Sequence, residues 1–211
     1  HRNFANSLFP LLSYPSIFFR MLFHHSHFEV RQHFPPKTTD ADNYVTCEQA
    51  IGDLPSLELK DGSIIYGEEI QEYQTPPQND YQKKMRENSN SVYNHIGSIP
   101  IEKTKKMLSM IPEGKNYKSL PDEYRSLYKY HEALTRYHSK KPSLTINTGH
   151  RSHFHYKYDR IPTVRESARL QSFPDDFIFC GNKSQQYKQV GNAVPPMLGY
   201  AVAKKLLEYL K

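Results

Sequence analysis

The sequence predicts an α+β fold built from short helices and brief strands. Three observations support this class: helix-capping patterns near residues 46 and 163, an Asp-Gly turn between two short apolar runs, and a Pro-Pro pair that opens an amphipathic C-terminal segment. The chain has 211 residues, which allows one ordinary domain, or one small domain plus part of another.

The amino-acid composition limits which partners and which cellular compartment we expect for this chain. Lys and Arg total 28 against 22 Asp and Glu, giving a net charge of +6, which suits a polyanion and equally an ordinary solvated surface. Two cysteines, Cys47 and Cys180, exclude a disulfide scaffold and cannot by themselves form a zinc site. No apolar run reaches the ~18 residues of a membrane span. We therefore expect a cytoplasmic protein that has no membrane partner.

The first 36 residues differ from the rest of the chain. They hold seven of the eleven Phe, five of the eleven His and no Lys. Neither a helical nor a strand period is readable there. Three interpretations stay open: an apolar segment that packs on a partner, a cloning artefact, or sequence of non-native origin.

Regular structure is predicted from Val45 onward. Residues 45–51 form a short helix that opens at Thr46, with Gln49 as its capping partner, and Gly52 ends it. Residues 57–66 form a hairpin through the turn Asp61-Gly62. Residues 74–80 form a loop, because two prolines interrupt them.

Residues 81–141 are basic, with thirteen Lys or Arg against six Asp or Glu, interleaved with tyrosines. Two helices are predicted: one over 101–111, with Ile101, Leu108 and Ile111 on one face, and one that begins at Pro121. Basic and aromatic residues together favour contact with nucleic acid. The alternative is a solvated basic face whose tyrosines cover a thin core.

Residues 143–146 predict a brief β-like run. It is followed by His150, His153 and His155, which lack a carboxylate or cysteine at metal-ligand spacing. We therefore expect no metal site and interpret the three histidines as polar loop residues.

Two helices are predicted in the last fifty residues. Thr163 and Glu166 form a capping box for a helix that ends near residue 172, before Phe173-Pro174. Pro195-Pro196 opens the final helix. Its core-facing side is predicted to consist of four apolar residues, Leu198, Ala201, Val202 and Leu206.

Two of these segments resemble one family closely. Residues 160–175 (RIPTVRESARLQSFPD) and 189–196 (QVGNAVPP) are similar to motifs IX and X of the DNA (cytosine-5) methyltransferases. Their order and spacing make the resemblance specific. Shorter segments add to it, so that it extends from about residue 45 to residue 210: AIGDLP at 50–55, NH at 94–95, IPEG at 111–114 and PSLTI at 142–146.

The resemblance implies a division of the chain and of its fold. It implies a small irregular target-recognition domain plus the C-terminal helical part of a Rossmann-like methyltransferase domain. The expected parts are an irregular segment (1–44), a target-recognition region (45–159) and a motif IX and X segment that returns to the catalytic domain (160–211).

The resemblance also implies roles for individual residues. The partner is double-stranded DNA, contacted by basic and polar residues of the recognition region: Lys105, Lys106, Lys140, Lys141, Thr145 and Arg151. Motif IX is structural, through Thr163 and the buried or half-buried ion pairs of Arg165, Glu166 and Arg169. Motif X borders the S-adenosylmethionine pocket, through Asn192, Ala193 and Val194, with Asn192 held at a turn near the amides of the following helix.

The family's catalytic motifs are missing from this sequence. Its chemistry needs a thiolate in a Pro-Cys-Gln motif to attack a flipped cytosine, but Thr46 precedes Cys47 and Phe179 precedes Cys180. The nine glycines include no pair two apart for a cofactor loop, and the Glu-Asn-Val motif is absent. We therefore expect no catalytic residue here and a separate chain that carries Pro-Cys-Gln and shares the cofactor. The alternatives are a stand-alone DNA-binding module and an inactive remnant.

Overall fold

Short helices and two small sheets make up the described part of the chain. The computed structural model describes residues 35–37, 39–40, 43–127, 134–149 and 152–208, so most of the irregular N-terminal segment lies outside the described residues. In chain order the elements are α1 (Cys47–Ile51), β1 (Ile70–Glu72), α2 (Asp80–Met85), β2 (Ser91–Tyr93), α3 (Glu102–Ser109), a 3-10 turn (Tyr117–Ser119), α4 (Asp122–Arg125), β3 (Thr135–Arg136), β4 (His153–Phe154), α5 (Val164–Leu170), α6 (Lys183–Asn192) and α7 (Pro196–Leu207).

Capping side chains fix where the helices begin. Both predicted capping boxes are present: Thr46 pairs with Gln49 at α1, and Thr163 with Glu166 at α5. Each box satisfies two backbone N–H groups that the helix itself leaves unpaired. The predicted helices at 101–111, after Pro121 and after Pro195 are also confirmed, with slightly shorter bounds.

The β structure differs from the prediction. The hairpin at 57–66 is reduced to a single antiparallel bridge, Glu58 with Ile64, around a turn in which Gly62 has φ +80°. Residues 143–146 form no strand, because they have no hydrogen-bonded partner strand, and Leu144 and Ile146 pack into the core instead. The sheets pair β1 with β2 antiparallel and β3 with β4 parallel.

Two predicted apolar faces are corrected. Ile101 is 71 % exposed, since α3 packs through Met107 and Leu108. The final helix α7 has no buried residue, and the four apolar residues predicted to face the core are only half-buried. No other described helix or strand packs closely enough against α7 to bury its apolar residues.

The core of the described residues lies in three clusters, two of which include residues of α5. The first joins α1 to Tyr137, Tyr156 and Leu170; the second joins α3 to Leu134 and Phe154; the third joins α5 to α6 and two phenylalanines. All seven residues of α5 are buried. It packs against both α1 and α6 and joins them through the first and third clusters. Among the described residues, no helix is long and apolar enough to cross a membrane.

Candidate functional site

The start of α5 is tied down by a buried ion pair. The Arg160 guanidinium donates from both terminal nitrogens to the two carboxylate oxygens of Glu166, at 2.8 and 2.7 Å. Glu166 also accepts from the Thr163 N–H at 2.7 Å. Burial alone would raise the pKa of Glu166, but the charge and hydrogen bonds of Arg160 outweigh it and hold that pKa well below its usual range. Glu166 is therefore a buried, charged carboxylate whose hydrogen bonds stabilise the start of the helix.

The buried side chain of His95 links the start of α5 to the segment around Pro55. Burial lowers the pKa of His95, so the ring is neutral. Its Nε2 lies 2.8 Å from the Pro55 carbonyl, which can only accept, so Nε2 carries the proton. Nδ1 then accepts from the Thr163 hydroxyl at 2.9 Å. His95 and Thr163 hold two distant segments together.

The end of α5 carries a second buried network. Arg169 donates from Nε and Nη2 to both oxygens of Asp175, each at 2.5 Å, and from Nη1 to Asp53 at 3.1 Å. All three side chains are closed to solvent. Asp53 also pairs with Arg86 at 3.1 Å, and Asp175 accepts from the Tyr73 hydroxyl. Arg169 is thereby shared by two buried carboxylates, and Asp53 has a second arginine, Arg86, as a partner.

Arg165 forms hydrogen bonds mainly with backbone carbonyl groups. Its guanidinium donates to the carbonyls of Tyr93, Pro174 and Phe177 at 2.9, 3.0 and 2.7 Å, and lies 3.7 Å from Asp175. Burial lowers the pKa of Arg165, partly opposed by the charge of Asp175. The side chain joins β2 to the turn that follows α5. The four motif IX residues therefore lie inside the protein, where no substrate can reach them directly.

The basic residues predicted to contact DNA lie mostly on the surface. Lys106, Lys140 and Lys141 are exposed, whereas Lys105 is half-buried, with Nζ 3.5 Å from the Gly62 carbonyl. Thr145 is exposed in the segment that follows Lys141. Arg151 lies outside the described residues.

One buried arginine joins the elements that carry these lysines. Arg136 of β3 donates to the Leu108 and Ile111 carbonyls at 2.5 and 2.7 Å, and to Asp159 at 2.5 Å. It therefore fixes the end of α3, which carries Lys106, to the strand that leads to Lys140. Sequence reasoning missed Arg136, because nothing local separates it from the surrounding surface lysines and arginines.

The segment predicted to border the cofactor is an open edge between two helices. Asn192 is the exposed last residue of α6, Ala193 is half-buried, and Val194 is 54 % exposed. Asn192 is not in a turn as predicted, because it is still helical as the last residue of α6, and the chain leaves the helix at Ala193. Helix α6 was missed although Asn182 and Gln185 form a capping box. At the start of α7, the Met197 N–H donates to Ser172 Oγ at 3.1 Å.

The two cysteines differ in their exposure to solvent. Cys47 is fully buried in α1, and burial raises the pKa of its thiol to about 12, so it stays protonated at neutral pH. Cys180 is exposed, between Phe179 and Gly181. Within the described ranges no group of three or more His, Cys, Asp or Glu residues could hold a metal ion, and His150 lies outside them.

Comparison with known proteins identifies the family. The family model of the C-5 cytosine-specific DNA methylases matches residues 24–208. The chain is 33 % identical over 196 residues to the type II methyltransferase M.DdeI of Desulfomicrobium norvegicum, covering 84 % of this chain and 46 % of that protein. It is 35 % identical over 165 residues to M1.HphI of Haemophilus parahaemolyticus, covering 78 % and 37 %. The chain thus spans less than half of the length of either relative.

The fold agrees with this relationship. A solved structure, described as that of a DNA modification methyltransferase encoded within a prophage (E. coli), superimposes with a TM-score of 0.61 at 19 % identity, over 87 % of this chain and 51 % of that chain. The two chains therefore share a fold that mixes helices and strands. On the extent of the family match and the identity to two type II enzymes, the chain belongs to the C-5 cytosine-specific DNA methylase family.

Proposed function

We propose that this chain is the C-terminal half of a DNA (cytosine-5-)-methyltransferase of restriction-modification type. It recognises the DNA target, provides part of the S-adenosylmethionine site and works in the cytoplasm. The observation that supports this best is the contrast between a family match over residues 24–208 and a buried, protonated Cys47. The chain has the family's supporting framework, and its buried, protonated Cys47 cannot attack cytosine.

Residues 45–159 form the target-recognition region of this proposal, and residues 160–211 return to the catalytic domain. Burial of the whole of α5 supports that division. A helix whose arginines hold Asp53, Tyr93 and Asp175 can keep the recognition region in place. In this proposal Thr163, Arg165, Glu166 and Arg169 act as structural supports.

The DNA-facing surface is the group of exposed residues on α3 and on the segment after β3: Lys106, Lys140, Lys141 and Thr145, with Lys105 beside them and Arg151 beyond the described residues. Glu113 strengthens the link between the two elements by accepting from the Ser139 N–H and hydroxyl at 2.9 and 2.8 Å. Lysines on a surface held in this way can pair with phosphates of duplex DNA.

We expect affinity for duplex DNA to fall steeply with salt, because each lysine that pairs with a phosphate releases a counterion. Changing Lys105, Lys106, Lys140 and Lys141 to Gln should flatten the plot of log affinity against log salt, by roughly one unit for each phosphate that is no longer paired with a lysine. Fluorescence anisotropy with a labelled duplex measures this slope.

The matched control changes four other exposed lysines to Gln: Lys60, Lys157, Lys188 and Lys204. It alters the net charge equally and should retain more of the slope. Equal flattening by both sets of substitutions would show that net charge alone drives binding.

The cofactor edge of this proposal is formed by Asn192, Ala193 and Val194. One carboxamide and the adjoining backbone groups suit the polar end of S-adenosylmethionine, and the open position of the edge leaves room for a second wall. S-adenosylmethionine would supply the methyl group, while these residues only bind and orient it. The rest of the site is shared with the catalytic half.

A separate chain that carries Pro-Cys-Gln completes the enzyme in this proposal. The exposed apolar residues of the α6–α7 region, Val194, Tyr200 and Leu207, support it, since a second chain would cover them.

We expect the purified 211-residue chain to transfer no methyl group to DNA, because Cys47 is buried and neither cysteine follows a proline as the family's nucleophile does. The measurement is incorporation of label from methyl-labelled S-adenosylmethionine into duplex DNA. A full-length type II relative serves as the positive control. Label transferred by the isolated chain would contradict the proposed division of labour and would return Cys180 to consideration.

A stand-alone, non-catalytic DNA-binding module is the second candidate, and an inactive remnant is the third. Complete burial of α5 within the described residues favours the module, because that framework needs no second chain. Sequence-specific duplex binding by the isolated chain would support the module over the half-enzyme.

A further inference from the structure

Gly191 of α6 lies directly against the backbone of another segment. A Cβ atom added there would lie 2.6 Å from the Thr148 nitrogen, and 2.7 and 2.8 Å from the carbonyl carbon and oxygen of Asn147. Backbone atoms cannot rotate away as the end of a long side chain can. Only glycine therefore permits this distance between α6 and the loop of residues 145–149, called here the 145–149 loop.

This loop carries the exposed Thr145 and ends in a tight turn, in which the Asn147 side chain accepts from the Gly149 N–H at 2.9 Å. Ile146 packs against both the first and the third core cluster. The loop is therefore held by the apolar contacts of Ile146 with the core and by the close backbone contact with α6.

The end of α6 is itself fixed to α5. Gln171 donates from its side-chain amide to the Val190 carbonyl at 2.6 Å, one residue before Gly191. Ser172, which adopts a left-handed conformation with φ +63°, caps the next helix by accepting from Met197 N–H. Helix α6 thus gives the 145–149 loop a rigid support.

We propose that Gly191 is a positioning residue that fixes the 145–149 loop relative to residues 192–194. The loop that faces DNA and the edge that faces the cofactor then form one rigid unit, in which a shift of either backbone displaces the other. This inference rests on the proposed function, because it needs the loop to contact DNA.

The test compares Gly191→Ala with Gly199→Ala in the 211-residue chain, using a labelled duplex at low salt. An added Cβ at Gly199 meets nothing within 4 Å, so this control makes the same chemical change without a clash. Gly191→Ala should bind about tenfold more weakly, the size expected when one good polar interaction with a phosphate is removed. Gly199→Ala should bind like the parent chain. Val190→Ala, which opens a gap on the buried side of α6, controls for lowered stability.

Amide hydrogen exchange on the parent chain gives a second readout that does not depend on a variant folding. Duplex DNA should slow exchange in residues 147–149 and in the last turn of α6 together. Slowing in the loop alone, or equal DNA binding by Gly191→Ala and Gly199→Ala, would overturn the role of Gly191. A parent chain that binds no DNA would instead overturn the proposed function, and the inference with it.

Discussion

Arg169→Met should lower the free energy of unfolding by about 3–5 kcal/mol, the usual cost of removing one partner from a buried ion pair. The substitution leaves Asp175 and Asp53 buried without the guanidinium that contacts both. Burial opposes a charged arginine, yet the hydrogen bonds and charge of Asp175, together with Asp53, raise the pKa of Arg169 above its ordinary value. The Arg169 guanidinium therefore stays charged in the folded chain, and the substitution removes its whole interaction with the two aspartates. Denaturant unfolding followed by circular dichroism measures the change.

Arg125→Met is the matched control for this prediction. Arg125 also pairs with an aspartate, Asp122, but both side chains are largely exposed. Exposed pairs of this kind contribute about 0–1 kcal/mol. If the two substitutions destabilise the chain equally, the Arg169 network does not hold the fold together in the way described.

Lowering the pH should reduce the free energy of unfolding at pH values where most carboxylates are still ionised. Burial lowers the pKa of His155 from 6.5 to about 3, a shift that the charge of Glu166 opposes only in part. The folded state therefore keeps this ring neutral while the unfolded chain takes up a proton below pH 6.5. Stability is complete above pH 6.5 and is lost as the pH falls, by about 2 kcal/mol between pH 7 and pH 5 from His155 alone.

Two further groups act in the same direction. The pKa of His95 is also lowered by burial, and the lowered pKa of Glu166 adds a loss below pH 4.5, where the unfolded carboxyl is protonated. Unfolding free energies measured from pH 7.5 to 4.5 check the slope, and His155→Gln, which cannot take up the proton, should reduce it. A stability that stays flat over this range would mean that the buried histidines take up protons at the same pH in the folded chain as in the unfolded chain.

Local signals in the sequence predicted the helix starts well. Thr46 with Gln49 and Thr163 with Glu166 are each three residues apart, so a side chain and a backbone amide of one turn decide the outcome. The family motifs likewise located the buried arginines of α5, because those motifs are contiguous in the chain.

Long-range pairing escaped prediction. Strands β1 and β2 are three residues each and pair across some twenty residues, too short to show an alternating pattern. Asp53 and Arg136 are ordinary polar residues locally, and their roles come from partners far along the chain. Candidate site residues on the surface, such as Lys106 and Asn192, could be proposed only from the resemblance, since exposure depends on the packing of distant segments.

The Arg169 network has a consequence for the order in which the chain can fold during synthesis. Arg169 donates to the Ala50 carbonyl and to Asp53, residues that precede it by 119 and 116 positions. At a ribosomal rate of about 5–20 residues per second, Asp53 and its neighbours leave the ribosome roughly 6–24 seconds before their partner does. During that interval the Asp53 carboxylate can pair with Arg86 but not with Arg169, so we expect the segment around Asp53 to become fully buried only after motif IX emerges.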